Sequence, residues 1–266
     1  MICQSENEDF ISLEKFYDQI YIINLKHRTD RWNKMVENLK LLNIQNYQRF
    51  EAINGLEKSI KNFWHYNKIH NKNYKVNSPG ALGYLLSYYH ILIEAQEKKY
   101  QQILVLDDDI ILHKDYQKFL STYVHPKKFK LIYYGVCHQL HNQNLDNLNT
   151  IVSNKLEPSL INIRLFKNLF GSGNIDGSFM MGISNSVFYD LILATRNSLL
   201  PFDSGPLRTL YNKFPFECFI FYPNLVIQDM TDSDIQNSTE DDNLNYQKQK
   251  KLINNWGWKL DEYQIQ

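Results

Sequence analysis

Cysteine is scarce in this sequence. Its 266 residues include three, Cys3, Cys137 and Cys218, and no two of them form a CxxC pair. Disulfide frameworks and structural zinc sites need more cysteines at closer spacing, so we expect neither. The sequence also lacks the run of about 18 apolar residues that spans a bilayer, and an apolar signal-peptide core near its start. We therefore expect a cytoplasmic protein without a transmembrane segment.

An excess of charge of one sign is missing as well, since 29 lysines and arginines balance 29 aspartates and glutamates. A general nucleic-acid-binding domain presents a broad basic surface, and we therefore expect no nucleic-acid partner. Low hydrophobicity keeps a chain disordered, but 43% of these residues are hydrophobic and 14% are aromatic. We expect the chain to fold, and its length suits one or two domains.

Apolar strands and amphipathic helices alternate along the chain. Continuous apolar runs, typical of strands buried on both faces, predict strands at 20–25, 102–107, 131–136, 178–184 and 218–228. Helical spacing of apolar residues predicts helices at 29–42, 78–99 and 186–196, with Thr29 and Ser78 as N-caps of the first two. Residues 55–77 show no firm periodicity and receive no assignment. The alternation predicts an α/β protein whose mostly parallel central sheet carries helices on both faces.

Three successive carboxylates, Asp107, Asp108 and Asp109, follow the apolar part of the predicted strand 102–107. Two unit charges about 4 Å apart repel by about 4 kcal/mol even at an effective dielectric constant near 20. Mg²⁺ and Mn²⁺ prefer oxygen ligands and bridge carboxylates to phosphates. Open α/β sheets bind ligands beyond the carboxyl ends of their strands. The triplet therefore predicts a divalent metal site, with a solvated acidic turn as the alternative.

The segment from Leu104 to Ile110 resembles the acidic metal motif of glycosyltransferase family 25, which includes lipooligosaccharide and collagen galactosyltransferases. Further segments are similar to that family in the same order, at 21–25, 28–31, 50–55, 79–87, 177–184, 201–203, 222–228 and 233–235. We expect a transferase domain at 20–236, an N-terminal extension at 1–19 and a polar, helical C-terminal extension at 237–266. Two positions depart from the family pattern: Tyr88 stands where a histidine is common, and Asp107 where glutamate is frequent.

The resemblance implies a GT-A type, Rossmann-like fold, a nucleotide-sugar donor, a divalent cation (Mn²⁺ or Mg²⁺) and inversion at the anomeric carbon. On this basis we expect galactose or glucose to pass from a UDP-sugar to a hydroxyl group of a glycan or protein. Asp107 and Asp109 would hold the metal, and Asp108 would lie near the ribose or sugar hydroxyls of the donor.

The donor-binding residues are expected around the first strand-to-helix turn. Arg28 and Arg31 can offer planar guanidinium groups to phosphate or sugar oxygens beside a helix N-terminus. Asn24 and Leu25 end the first strand against the expected base pocket. Ser87, on the predicted helix 78–99, matches a serine of the family pattern and joins the expected donor-binding set.

Inversion requires a base that takes the proton of the acceptor hydroxyl. Asp203 is our first choice, because the resemblance places the segment from Pro201 to Asp203 on the acceptor side. Four alternatives remain open: Asp176, Glu217, Asp232 and Asp234.

Two other functions compete with this prediction. An apolar strand that ends in Asp-x-Asp also resembles the nucleophile motif of haloacid-dehalogenase-like phosphatases, with Asp107 as the nucleophile and Asp109 as the acid. That motif normally follows the first strand, whereas another strand and helix come first here. The second alternative is a domain that binds sugar nucleotides without turnover.

Overall fold

Strands that are apolar on both faces form the centre of the protein. The computed structural model describes residues 11–138, 159–171, 173–230 and 258–264. Its strands are β1 (Gln19–Asn24), β2 (Gln48–Glu51), β3 (Gln102–Asp107), β4 (Ile110–Leu112), β5 (Leu131–Tyr133), β6 (Cys137–His138), β7 (Ser159–Asn162), β8 (Ile175–Asp176), β9 (Met180–Ser184), β10 (Cys218–Tyr222) and β11 (Val226–Gln228).

Seven of these strands form one sheet in the order β2-β1-β3-β9-β5-β10-β7. β1 pairs in parallel with β2 and β3, and β10 pairs in parallel with β5. β9 runs antiparallel between β3 and β5, and β7 is antiparallel to β10, so five strands share one direction. The register places Ile23 opposite Asp107 and Asn24 opposite Glu51, which brings the carboxyl ends of β1, β2 and β3 together.

Helices cover both faces of the sheet. They are α1 (Thr29–Leu41), α2 (Lys58–His70), α3 (Pro79–Glu97), α4 (Tyr116–Ser121), α5 (Ile163–Phe170), α6 (Phe188–Arg196) and α7 (Arg208–Lys213). Successive side chains of a strand point to opposite faces. Ile103 and Val105 of β3 accordingly pack in the core beneath α3 and α6, whereas Leu104 and Leu106 pack beneath α1 and α4. The predicted α/β class with a mostly parallel sheet is confirmed.

Several predicted boundaries are wrong in detail. Arg28 is the N-cap of α1, and Thr29 is its first helical residue. α2 lies within residues 55–77, to which the sequence gave no element. The predicted strand 218–228 is two strands in different sheets: β10 pairs with β5 and β7, whereas β11 pairs with β4. Pro223, which has no N–H to donate, lies between them. Most of the predicted extension at 237–266 lies outside the described residues.

Local hydrogen bonds hold the start of α3 and the described residues near the C-terminus in place. Ser78 caps α3 as predicted, its side chain accepting from the Ala81 N–H. Near the C-terminus, the Trp258 indole donates to the Val136 carbonyl at 3.0 Å. Among the described helices, none combines the length and the apolar character that crossing a membrane requires.

Candidate active site

A cavity lies at the carboxyl ends of β1 and β3. It has an apolar wall and an acidic wall, which face each other across the edge of the sheet. The lining residues are Ile23, Leu25, His27, Arg31, Ala52, Ile53, Asn54, Gly55, Leu56, Gly80, Tyr84, Asp107, Asp108, Asp109 and Gln228.

The apolar wall is the loop after β2, which is pressed against the start of α3. The Ile53 N–H donates to the Ser87 hydroxyl at 2.9 Å, and that hydroxyl donates to the Gly83 carbonyl at 2.8 Å. A Cβ atom on Gly83 would lie 2.3 Å from the Ile53 carbonyl oxygen, and one on Gly55 would lie 2.2 Å from that of Pro79. Only glycine permits this close approach. The loop is therefore fixed in position by helix α3.

Ser87 does not line the cavity, although the sequence grouped it with the donor-binding residues. It is fully buried, and both of its hydrogen bonds go to the protein backbone. The structure gives it a positioning role behind the cavity wall.

The acidic triplet forms the opposite wall. The Tyr84 hydroxyl lies 3.0 Å from each carboxylate oxygen of Asp107. Arg31 Nη1 lies 3.1 Å from Oδ1 of Asp108 and 3.1 Å from Oδ2 of Asp109. Gln228 Nε2 donates to the same Asp109 oxygen at 3.2 Å. Arg31 thus joins Asp108 to Asp109, whereas Tyr84 binds Asp107.

Burial disfavours the charged forms of these carboxylates. It raises the pKa of Asp107 well above its usual range, with the charge of Asp109 as a further cause. Burial also raises the pKa of Asp109 to about 7, although Arg31 opposes the rise. The pKa of Asp108 is raised by burial as well, again against Arg31. These buried carboxylates therefore take up protons more readily than exposed ones, and a cation bound beside them would favour their charged forms instead.

A divalent cation fits this wall by its chemistry. Oδ1 of Asp109 is buried and has no hydrogen-bond partner. The charge of Asp109 contributes to the raised pKa of Asp107, and the charges of Asp108 and Asp229 contribute to that of Asp109. Carboxylate oxygens are the ligands that hard cations prefer. Within the part of the chain that the structure describes, however, no three His, Cys, Asp or Glu side chains converge as a ready ligand set. Further ligands would have to come from a substrate.

Four donor-binding residues are predicted around the first strand-to-helix turn, at positions 24–31, and the structure places only two of them at the cavity. Leu25 and Arg31 line the cavity, whereas Asn24 and Arg28 do not. Arg28 instead binds Asp30, with Nε 3.1 Å from Oδ1 and Nη2 2.8 Å from Oδ2. Asn24 is buried, and its amide donates to the Arg28 carbonyl at 3.1 Å and to the Asp108 carboxylate. Asn24 therefore holds the turn and the Asp108 carboxylate in position without lining the cavity itself.

The predicted bases Asp176 and Asp203 lie together in a second acidic pair. Asp176 binds Arg208 at 2.6 Å. Asp203 accepts backbone N–H groups, at 3.4 Å from Gly177 and 2.6 Å from Ser204. Burial, with the Asp176 charge as a second cause, raises the pKa of Asp203. Asp203 is thus the member of the pair without an arginine.

A short hydrogen-bonded path connects this pair to the cavity. The Ser178 hydroxyl, next in the chain to Gly177, lies 2.8 Å from the Tyr84 hydroxyl. The Tyr88 hydroxyl donates to the Ser178 carbonyl at 2.8 Å, and the Tyr88 ring stacks on Phe202 with 4.0 Å between centroids. Neither Asp176 nor Asp203 lines the cavity itself.

The structure does not bring the other base candidates to the cavity. Glu217 immediately precedes β10, at the opposite edge of the sheet from the triplet, and pairs with Lys130 at 3.8 Å. Asp232 and Asp234 lie outside the described residues.

Sequence reasoning named five of the fifteen lining residues, and among those it missed are the two whose side chains bind the acidic triplet, Tyr84 and Gln228. Tyr84 lies three positions before Ser87 on α3, and its polar tip within an apolar helix was the available signal. Gln228 is the last residue of β11, where a polar side chain ends an apolar run.

Comparison with known proteins gives a consistent result. Residues 17–175, more than half of the chain, match the model of a family described as Glycosyltransferase family 25 (LPS biosynthesis protein). The chain is 29% identical over 132 residues to Procollagen galactosyltransferase 1-B of Xenopus laevis. It is 27% identical over 128 residues to the Glycosyltransferase 25 family member of Drosophila melanogaster. These alignments cover 45% and 44% of this chain, and the chain spans only 21% of the length of each relative.

Proposed function

The chain belongs to glycosyltransferase family 25, and on this premise we propose that it transfers galactose or glucose from a UDP-sugar to a hydroxyl group of a glycan or protein. The observation that carries the proposal is the cavity with an apolar wall on one side and three carboxylates on the other. A nucleotide sugar needs both, because the planar faces of its nucleobase pack against apolar surface, whereas its diphosphate is anionic and requires cations.

The nucleobase of the donor would lie against Leu25 and the loop 52–56, where Asn54 and backbone groups can form hydrogen bonds with its edge. This places the diphosphate toward Arg31 and the triplet. Arg31 contacts two carboxylates and lines the cavity, so its guanidinium places a positive charge at that position. Asp108, which Asn24 and Arg31 orient, is suited to hydrogen-bond donor hydroxyls.

Asp107 and Asp109 would hold the divalent cation, Mn²⁺ or Mg²⁺, together with oxygens of the donor. When bound, such an ion supplies positive charge that stabilises the departing diphosphate. Tyr84 holds both oxygens of Asp107 in one orientation, and Gln228 does the same for one oxygen of Asp109. The unpartnered Oδ1 of Asp109 is the oxygen that remains for the ion.

Inversion proceeds in one displacement. The acceptor oxygen forms a bond to the anomeric carbon while the bond to the diphosphate breaks, and the acceptor proton passes to a carboxylate. We assign that base to Asp203, because its raised pKa suits a proton acceptor and Arg208 neutralises its neighbour Asp176 instead. The acceptor would bind on the side of the segment 176–178, across from the apolar wall.

The test is an assay with UDP-galactose and UDP-glucose, with and without Mn²⁺, which measures release of UDP and transfer of labelled sugar. We expect turnover of at least one donor and its loss when the ion is chelated. Steady phosphate release from an activated aryl phosphate, without turnover of either donor, would support the phosphatase alternative. Tight donor binding without turnover of any acceptor would support the non-enzymatic alternative.

A further inference from the structure

An exposed band of apolar side chains runs along the outer surface of α2. The exposed fractions are 57% for Phe63, 63% for Tyr66 and 62% for Ile69. The opposite side of the helix is anchored, because Ile60 and Trp64 pack against the core and the Trp64 indole donates to the Val76 carbonyl at 2.9 Å. The band is therefore a surface of a fixed helix.

Lysines are frequent in the same segment, three of them on α2 and two shortly after it, and we call the band and these lysines together the α2 surface. All five lysines of the region, Lys58, Lys61, Lys68, Lys72 and Lys75, are exposed. Glu57 is the one acidic residue at positions 55–77, so the segment has an excess of four positive charges in a chain whose net charge is zero. Among the described residues, no carboxylate forms an ion pair with these lysines.

We propose that the α2 surface lies on an anionic lipid bilayer, with Phe63, Tyr66 and Ile69 in the interface and the lysines against the headgroups. A helix that lies on a membrane combines an apolar stripe with a lysine-rich polar side, and its binding adds apolar burial to attraction by anionic lipid. Protein interfaces are depleted of lysine. The five exposed lysines in the same segment as the three apolar side chains therefore favour a surface of lipid headgroups over a protein partner.

The α2 surface follows the cavity wall directly in the chain. Leu56, which is 68% exposed, lines the cavity and lies just ahead of α2 in the chain. A protein that lies on a bilayer through α2 thus holds its cavity close to the lipid surface. This inference goes beyond the proposed function and does not depend on it, since lipid binding is measured without any sugar nucleotide.

The test is sedimentation of the full chain with vesicles of phosphatidylcholine alone and of phosphatidylcholine mixed equally with phosphatidylglycerol. We expect binding to the mixed vesicles that weakens at high salt, and little binding to phosphatidylcholine alone. Two variants test the two parts of the surface: Phe63→Ser/Tyr66→Ser/Ile69→Ser and Lys58→Glu/Lys61→Glu. Each should lower the partition coefficient about tenfold or more.

Matched controls carry the same types of change elsewhere. Tyr189→Ser/Leu193→Ser alters exposed apolar residues of α6, and Lys34→Glu/Lys118→Glu alters exposed lysines of α1 and α4 on the opposite face of the sheet. Both controls should bind vesicles as the unaltered chain does, and thermal melting should show that every variant is folded. Equal binding by all variants, or no binding of the unaltered chain to anionic vesicles, overturns the proposal. So does a dimer of the unaltered chain that only the serine variant dissociates, because α2 would then be a contact between two copies.

Discussion

The two carboxylate oxygens of Asp109 have unequal hydrogen-bond partners. One of its oxygens is shared by Arg31 and Gln228, and the other is buried without a partner. A buried polar atom without a hydrogen bond costs about 1–3 kcal/mol, and a cation bound at this oxygen would remove that cost. The proposed function therefore makes Asp109 a residue that acts in ligand binding more than in folding.

Replacement of Asp109 by asparagine tests this interpretation. We expect Asp109→Asn to lose the extra thermal stabilisation that Mn²⁺ adds to UDP, because the charge that attracts the ion is gone. Without ligands the variant should melt at or above the temperature of the unaltered chain, since a buried amide costs less than a buried carboxylate. Differential scanning fluorimetry measures both effects, with Asp190→Asn as the control. An undiminished Mn²⁺ effect in Asp109→Asn would remove this residue from the site.

The two arginines of the first turn should respond differently to replacement by lysine. Arg31 contacts two carboxylates at the cavity, whereas Arg28 binds Asp30 outside it. Hydrogen bonds of charged groups contribute about 1.5–3 kcal/mol, so Arg31→Lys should weaken UDP-sugar binding about tenfold or more. Arg28→Lys should weaken it much less. Calorimetric titration of both variants measures this difference. Equal losses of UDP-sugar affinity would show that the two arginines do not have separate roles.

Asp203 can be separated from the donor-binding residues by kinetics. Loss of a general base lowers rates by about 10² to 10⁴, and Asp203→Asn should lower kcat in that range while the donor KM stays constant. The Asp203 carboxylate does not line the donor cavity, which is the reason for the constant KM. Unaltered kcat in this variant would move the base to another residue.

At the scale of elements, the contact between α3 and the loop 52–56 determines the width of the cavity. Gly83→Ala would place a methyl group 2.3 Å from the Ile53 carbonyl oxygen, so the loop must shift toward the cavity. We expect weaker UDP binding and a loss of roughly 1–3 kcal/mol in unfolding free energy, as is typical of overpacking. Ser87→Ala adds no atoms and removes only one hydrogen bond to the loop. It should therefore destabilise the chain while narrowing the cavity less, a contrast that urea unfolding and UDP titration can measure.

The same elements show what the sequence can predict. β3 and its three aspartates are contiguous in the chain, so an apolar run that ends in charge was enough to locate the acidic wall. Ser78 and Pro79 likewise mark the start of α3 by local chemistry alone. α2 escaped prediction because Ile60 and Trp64 are its main inward apolar residues, and the exposed aromatic residues hide their spacing. The contact of Tyr84 with Asp107 joins residues 23 positions apart, and no local pattern encodes it.

At the scale of the whole molecule, a buried polar network ties distant segments together. His125 lies 2.9 Å from the Tyr123 hydroxyl and 2.9 Å from the Gln102 side-chain oxygen. The Tyr134 hydroxyl continues the network, 2.7 Å from Tyr123 and 2.8 Å from Tyr17. The network connects the N-terminal segment, the start of β3 and β5 on one side of the sheet. A charge that enters this network should therefore weaken the whole fold.

Protonation of His125 at low pH supplies such a charge. Burial lowers the pKa of His125 from 6.5 to about 4, so the unfolded chain takes up a proton more readily than the folded one. The contribution of His125 to stability is complete above pH 6.5 and is lost as the pH falls toward about 4. We expect a loss of roughly 2 kcal/mol over this interval, which urea unfolding at several pH values can measure. The buried carboxylates respond to pH in the opposite sense, so the effect is the difference between the unaltered chain and His125→Phe. Parallel pH profiles for the two proteins would contradict it.

The cavity is almost entirely encoded by one stretch of the chain. Its lining residues run from Ile23 to Asp109, and Gln228 is the single exception. Asp176 and Asp203 come later, beyond the intervening strand β5. A genetic crossover after residue 109 would therefore transmit the lining of the cavity nearly whole and exchange Asp176 and Asp203 in one event. Under the proposed function, such an exchange would alter the acceptor side while the donor side is inherited as a block.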